Sequence, residues 1–294
     1  MADFMQQVVA GLASGSIYAS LALALVLIHR ATGVINFAQG EMATLSTYLA
    51  WTLTTNHGWS YWPAFAVTLA LSFAGGAAVH QGIIRPNEKG SVLRVVIVTI
   101  GLLLLINGAV TMIWSGEVRA VQSPFPTRTV DIGGVAISIQ DIGTIGVVVG
   151  TMVLLWLLFQ RTKVGLAMRA AAVNPAEARL VGVRVTWMLS LGWGLAAMLG
   201  AISGMLAAPS VFLDPNLMAA ILIYAFAAAV LGGIDSPVGA IVGGLTLGVG
   251  LNLLGTYVDF VGADLRLPGA LFVILVVLLI RPSGIFGHRA VKRV

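Results

Sequence analysis

The sequence predicts an all-α polytopic membrane protein, and three observations carry that prediction. Charged residues make up 9% of the 294-residue chain and apolar residues 59%, where a soluble domain carries roughly 25% charged residues. The apolar residues collect in runs separated by charge, proline or polar clusters. The runs also lack the polar–apolar alternation of a membrane barrel. In lipid a continuous run must satisfy its backbone hydrogen bonds internally, which makes it a helix.

In chain order the runs fall at 8–28, 42–53, 62–84, 92–114, 142–159, 187–208, 217–232, 238–254 and 268–280. A crossing takes roughly 20 apolar residues, so most of these reach across, some with help from flanking residues. The second, seventh and last are short. The opening stretch, M-A-D-F-M-Q-Q, has no basic n-region, so the first run is expected to stay in the mature protein. Ser236-Pro237 before the eighth run reads as a helix start with proline in the first turn.

Orientation follows from lysine and arginine. They concentrate at Arg85, Lys89 and Arg94, at Arg161, Lys163, Arg169, Arg179 and Arg184, and at Arg281, Arg289, Lys292 and Arg293. The connection 115–141 sets Arg119 and Arg128 against Glu117, Asp131 and Asp141, and the connections near Asp214 and near Asp259, Asp264 and Arg266 are net acidic. Basic and acidic connections alternate, which places the three basic segments and the C-terminus in the cytoplasm. About eight or nine crossings fit. Nine follow if His29-Arg30 is cytoplasmic and the N-terminus outside; eight follow if the region 30–41 is re-entrant and the N-terminus inside.

Composition also excludes. With no cysteine there are no disulfides, thiolate metal sites or cysteine nucleophiles. The net charge of +5 lies in separated connections, not along one face, so no nucleic-acid partner is expected. No phosphate-binding G-x-x-x-x-G-K-[ST] loop occurs, and the four histidines have no metal-ligand spacing, so neither ATP nor a metal is expected on this chain. No serine–histidine–acid constellation is indicated, and the chain reads as not an enzyme. Nor does any run carry a charge at its centre, unlike ion-driven pumps. Glu41 and His80 come nearest, and His80 reads as a packing residue at the interface.

Three polar islands interrupt the apolar pattern. The first is G-V-I-N-F-A-Q-G-E, 33–41, where Asn36, Gln39 and Glu41 precede a short helix. It reads either as a broken helix lining a translocation path or as a cytoplasmic turn whose acidic residue helps to cap the next helix. The second is L-G-G-I-D-S-P-V-G-A, 231–240, in the other half of the chain. Paired interruptions suit transporters built from repeats, though an ordinary tight turn fits too. Asn107 and Asn252 lie within runs and can face a path or bond helix to helix. The spacings Gly11/Gly15, Gly146/Gly150, Gly200/Gly204, Gly239/Gly243 and Gly244/Gly248 allow close helix approach, although a chain with 35 glycines produces such pairs easily.

The third island, 161–185, holds five basic residues, Glu177 and an Asn-Pro turn. An amphipathic stretch at 165–172 is followed by Asn174-Pro175, which starts a second short helix over 176–180, and Gly182 ends it. A solvated positive loop would explain the charge but not these ordered caps. Helix–turn–helix on one membrane face suits the groove of a partner protein.

The combination G-S-I-Y-A-S-L-A-L (15–23), T-G-V-I-N-F-A-Q-G-E (32–41), I-R-P (84–86), T-I-G-L (99–102), N-P-A-E-A-R-L-V-G-V (174–183) and L-G-G-I-D-S-P-V-G-A resembles the permeases of branched-chain amino-acid ABC importers, in their shorter, LivH-type form. The resemblance covers nearly the whole chain. It implies a single transmembrane permease domain, 1–294, in the inner membrane. It also implies a second homologous permease subunit, two cytoplasmic ATP-binding subunits that hold ATP and magnesium, and a soluble periplasmic or extracellular binding protein.

The family's cytoplasmic coupling segment falls on 161–185, giving Arg169, Asn174, Pro175, Glu177, Ala178, Arg179 and Gly182 as ATPase-coupling residues. Arg179 departs from the fuller Glu-Ala-Ala pattern of sugar importers, and Gln39 stands where the family commonly has histidine. Asn36, Gln39, Glu41, Asn107 and Asn252 are the candidates for the translocation path. The expected cargo is a branched-chain or related hydrophobic amino acid, with urea or short amides as the alternative. A stand-alone facilitator is the rival from another class; it would need no docking segment.

Overall fold

Each apolar run is a helix in the computed structural model, which describes residues 2–88, 90–126, 128–258, 265–281 and 283–287. Helix α1 spans Ala2–Thr32, with Asp3 in its first turn and His29 and Arg30 in its last, the charge placement that a helix dipole favours. After a break come α2 (Gln39–Trp51), prolonged by a π turn at Thr52–Asn56, and α3 (Tyr61–Val79). A second π turn, His80–Ile84, leads into α4 (Arg85–Asn87), and α5 runs over Val92–Trp114. Then follow α6 (Ile139–Arg161), α7 (Lys163–Val173), α8 (Pro175–Leu180), α9 (Val185–Val211), α10 (Ala219–Gly232), α11 (Pro237–Tyr257) and α12 (Arg266–Ile280).

Among the described residues six helical segments are long and apolar enough to cross a membrane, and α10 and α12 are shorter apolar helices. The chain is an all-α polytopic membrane protein. Lys89, Asp259, Asp264, Arg289, Lys292 and Arg293, which entered the charge pattern, lie outside the described residues.

One element escapes the helical reading. Strands β1 (Thr129–Ile132) and β2 (Val135–Ser138) pair antiparallel within the connection 115–141. Gly133 and Gly134 both have positive φ, 65° and 85°, as a two-residue hairpin turn with right-handed strand twist requires.

The chain divides into two compact units. The first comprises 1–26, 125–146 and 220–294. In it α1 and α11 run antiparallel with backbones nearly touching: a Cβ on Gly11 would lie 2.7 Å from the Val249 Cα, and one on Gly15 would lie 2.9 Å from the Gly244 carbonyl. Gly11/Gly15 and Gly244/Gly248 are therefore two sides of one contact. Asn252 seals its end, its Nδ2 donating to the Gln7 carbonyl at 2.7 Å and to Gln7 Oε1 at 2.9 Å. Ser236 caps α11 by accepting from the Gly239 N–H at 3.0 Å, with Pro237 in the first turn. Residues 283–287 return to the end of α10, Ile285 N–H donating to Leu231 O and Phe286 N–H to Gly232 O.

The second unit comprises 27–124 and 147–219, and α9 is its axis. Nearly every residue of α9 from Ser190 to Ala208 is buried, whereas α5 and α6 are mostly exposed, as suits faces turned to lipid or a partner. Helix α3 crosses α9 antiparallel, Gly76 against Trp193 and Ala197 at one end and Tyr61 Oη donating to the Met205 carbonyl at 3.3 Å at the other. Helix α2 lies parallel to α9, with Gly200 against Gln39 and Ala43 and Gly204 against Ala43 and Thr47. Helix α5 flanks α2, its Trp114 Nε1 donating to Thr52 Oγ1 at 2.8 Å. The Gly146/Gly150 spacing makes no such approach, since a Cβ on either would meet nothing within 4 Å.

Candidate functional site

The break between α1 and α2 begins at Gly33, whose φ of +71° is open to glycine at little cost. Asn36 then shapes the turn, Oδ1 accepting from the Ala38 N–H at 3.0 Å and Nδ2 donating to Gln39 Oε1 at 3.3 Å. Gln39 reaches across to α9, its Nε2 donating to the Ala196 carbonyl at 2.8 Å. That contact needs Gly200, because a Cβ there would stand 2.7 Å from Gln39 Nε2. Asn36 and Gln39 are both buried, at 1% and 0% exposure. Irregular backbone of this kind survives in a membrane only inside protein or beside a watery cavity. The helix is interrupted here, and α2 begins at Gln39 after the N-cap residue Ala38, with Glu41 in its first turn.

Glu41 turns instead towards α5. Its Oε2 accepts from Asn107 Nδ2 at 3.3 Å, and the same nitrogen lies 3.2 Å from the Pro215 carbonyl and 3.4 Å from Asn216 Oδ1. The structure thus gathers Asn36, Gln39, Glu41 and Asn107 along α2 in the second unit. Asn252 belongs to the first unit and joins α1 to α11. Farther along α2, Thr44 and Tyr48 are fully buried, and their hydroxyls have no hydrogen-bond partner among the described residues. A buried orphan hydroxyl calls for an ordered water. Asn107→Leu should strand the Glu41 carboxylate at a cost of about 1–3 kcal/mol. The measurement is a thermal unfolding midpoint in detergent, set beside transport rate.

His80 is wholly buried on the second π turn and held at both ring nitrogens. Ser190 Oγ donates to the Thr186 carbonyl at 3.0 Å, so it accepts from His80 Nδ1 at 2.8 Å. Nε2 meets Glu88 Oε1 at 3.0 Å. The histidine ties α3 and the turn after α4 to α9. It is a packing residue of the interior, with a polar role that spacing in the sequence did not reveal.

Residues 161–185 form the expected helix–turn–helix. Thr162 caps α7, accepting from the Gly165 N–H at 3.0 Å. Asn174 caps α8, accepting from the N–H groups of Ala176 and Glu177 at 3.2 Å each, with Pro175 in the first turn. Gly182, φ +83°, ends α8, and the Val183 N–H closes back on the Ala178 carbonyl at 2.9 Å, a glycine helix stop. Ala171, Ala178 and Val185 share a small core with Met188 and Leu189, so the elbow is seated on the first turns of α9. Glu177, Arg179 and Gly182 face outward while Ala178 is buried and Arg169 is half-buried, its Nη1 donating to Gln160 Oε1 at 3.3 Å. Val173, Leu180 and Val181 are exposed at 79%, 87% and 78%.

Comparison with known proteins agrees with this architecture. The family described as branched-chain amino acid transport system / permease component matches residues 7–280. The high-affinity branched-chain amino acid transport system permease protein BraD of Pseudomonas aeruginosa is 32% identical, over 99% of this chain and 98% of its own length. LivH of Escherichia coli K12, a permease of the same description, is 27% identical over the same shares. Among solved structures, PsaBC from Streptococcus pneumoniae in complex with Fab aligns with a TM-score of 0.51 and 16% identity, over 93% of this chain and 91% of that one, a likeness of fold.

Proposed function

This chain belongs to the branched-chain amino acid transport permease family, and we propose that it is the membrane subunit of a binding-protein-dependent ABC importer. As a family member it is a multi-pass inner-membrane protein and a transport subunit rather than a catalyst. The proposal adds the machinery: a second permease subunit, two cytoplasmic ATPases carrying ATP and magnesium, and a soluble binding protein that delivers a branched-chain or related hydrophobic amino acid.

The observation that carries it is the elbow at 161–185. It is capped at both helix starts, seated on α9 and bare at Val173, Leu180 and Val181 among outward charges, and it occurs in a chain with no phosphate loop of its own. A docked ATPase that moves the elbow moves α9, because α8 and α9 are joined by only a few residues. Through Gln39–Ala196 and the Gly200/Gly204 contact, α9 carries that motion to the broken segment. His80 carries it to α3 through Ser190. Access would alternate by such rigid sliding.

The test is uptake into proteoliposomes. Labelled leucine should enter only when the second permease, the ATPases, the binding protein and ATP are all present. Uptake by this chain alone would make it a facilitator and overturn the proposal.

A further inference from the structure

At the end of the second unit away from the elbow lies a cavity of about 660 Å³, within the range of roughly 300–1,000 Å³ typical of small-ligand sites. Its walls come from the outer turns of α2 and the π turn after it, the start of α3, the segment 119–123 and Met205 of α9. Trp59, Tyr61 and Phe65 form an apolar side, and Thr47, Thr54 and Arg119 supply polar groups.

Arg119 is fixed rather than waving in solvent. Its backbone pairs with Leu213 through two hydrogen bonds of 2.9 Å, and its guanidinium carbon lies 4.4 Å from the centre of the Trp51 ring. Nη2 donates to the Trp114 carbonyl at 2.5 Å and approaches Ser115 Oγ at 3.4 Å, while Nε is buried with no hydrogen-bond partner among the described residues. The carboxylate paired with it, Glu117, stands 3.9 Å away and is 81% exposed, a screened contact of small worth. The cavity is therefore lined by a positive charge that is held in place and barely neutralised, together with aromatic side chains.

We propose that this cavity is an entry subsite of the permease itself, in which Arg119 receives the carboxylate of a zwitterionic amino acid and Trp59, Tyr61 and Phe65 receive its apolar side chain. The assignment rests on the amino-acid importer reading above and adds to it. A guanidinium is the natural partner of a carboxylate, and an aromatic wall rewards a branched aliphatic side chain over a small polar one. The subsite has no use for a neutral amide, which lacks the charge that Arg119 is placed to meet. With 161–185 in the cytoplasm, the cavity faces the side from which a binding protein would release its cargo.

The experiment is equilibrium binding of labelled L-leucine to the complete purified assembly without the binding protein, with leucinamide as competitor. Saturable binding is expected, leucinamide should fail to compete, and Arg119→Gln should weaken binding about 10- to 100-fold. Arg119→Lys should restore part of the loss, and Trp59→Ala should weaken leucine more than alanine. Co-purification of the ATPases with each variant shows that the assembly is intact. Unchanged binding in an intact Arg119→Gln assembly, equal competition by leucinamide, or no saturable leucine binding in the wild type would overturn the subsite. Failure of the importer reading would appear separately, as absence of ATP-driven leucine uptake by the wild type with its binding protein.

Discussion

Glu177→Arg combined with Gly182→Val should release the partner ATPase while the permease still inserts in the membrane. Glu177 sits in the first turn of α8 and faces outward, so reversing its charge changes what a partner meets without disturbing a core. Gly182 has open space around it but a φ of +83°. A β-branched residue there is strained by about 1–2 kcal/mol from backbone conformation alone, enough to unwind the six-residue α8 that it terminates. Gly182→Asn, which tolerates the left-handed conformation, should keep near-normal assembly. The readout is co-purification of the ATPase from solubilised membranes, with insertion checked by carbonate extraction. Normal assembly of the double variant would sink the coupling role of this segment.

The second large effect is expected at Gly204. A Cβ there would collide with Thr47 Oγ1 and stand 3.0 Å from the Ala43 carbonyl, two groups already bonded to each other at 2.9 Å. Backbone cannot yield as a flexible side-chain tip can, so Gly204→Leu must push α2 away from α9. Overpacking of this kind costs about 1–3 kcal/mol or more, and here it also pulls Gln39 from Ala196. Thermal midpoint and monodisperse yield in detergent should both fall sharply. Gly146→Ala and Gly150→Ala, at the same spacing but facing open space, should leave both unchanged. If Gly204→Leu behaved like those two, the α2–α9 contact would be wrong.

Those glycines show what was legible in the sequence and what was not. The spacing of small residues is visible in one dimension, but which pairs meet depends on long-range packing. Gly11/Gly15 found Gly244/Gly248, while Gly146/Gly150 found nothing. Helices and caps were legible because they rest on local chemistry: Asn174-Pro175, Gly182 and Ser236-Pro237 each act within one turn. The break at 33–38 was legible as a polar island, but its burial was not, since that depends on Gly200 being opposite Gln39. The hairpin around Gly133-Gly134 was available from its β-branched flanks, and the weight of the helical pattern obscured it. Arg119 carried no signal beyond its charge, because its setting is made by Trp51 and Leu213 from distant parts of the chain.

Helix α2 also has a consequence for how this protein is made. At 13 residues, with Gln39 and Glu41 in its first turn, it offers the insertion machinery too little apolar length to hold a place in the bilayer by itself. The surface that shelters it, α9, lies 157 residues downstream along the Gln39–Ala196 bond. At 5–20 residues per second of synthesis, that is roughly 10–30 s of waiting. During biogenesis the polar break therefore stays open to water until α9 arrives. A nascent chain stalled before α9 should leave a cysteine introduced at Gln39 open to a water-soluble thiol reagent, and one stalled after it should not.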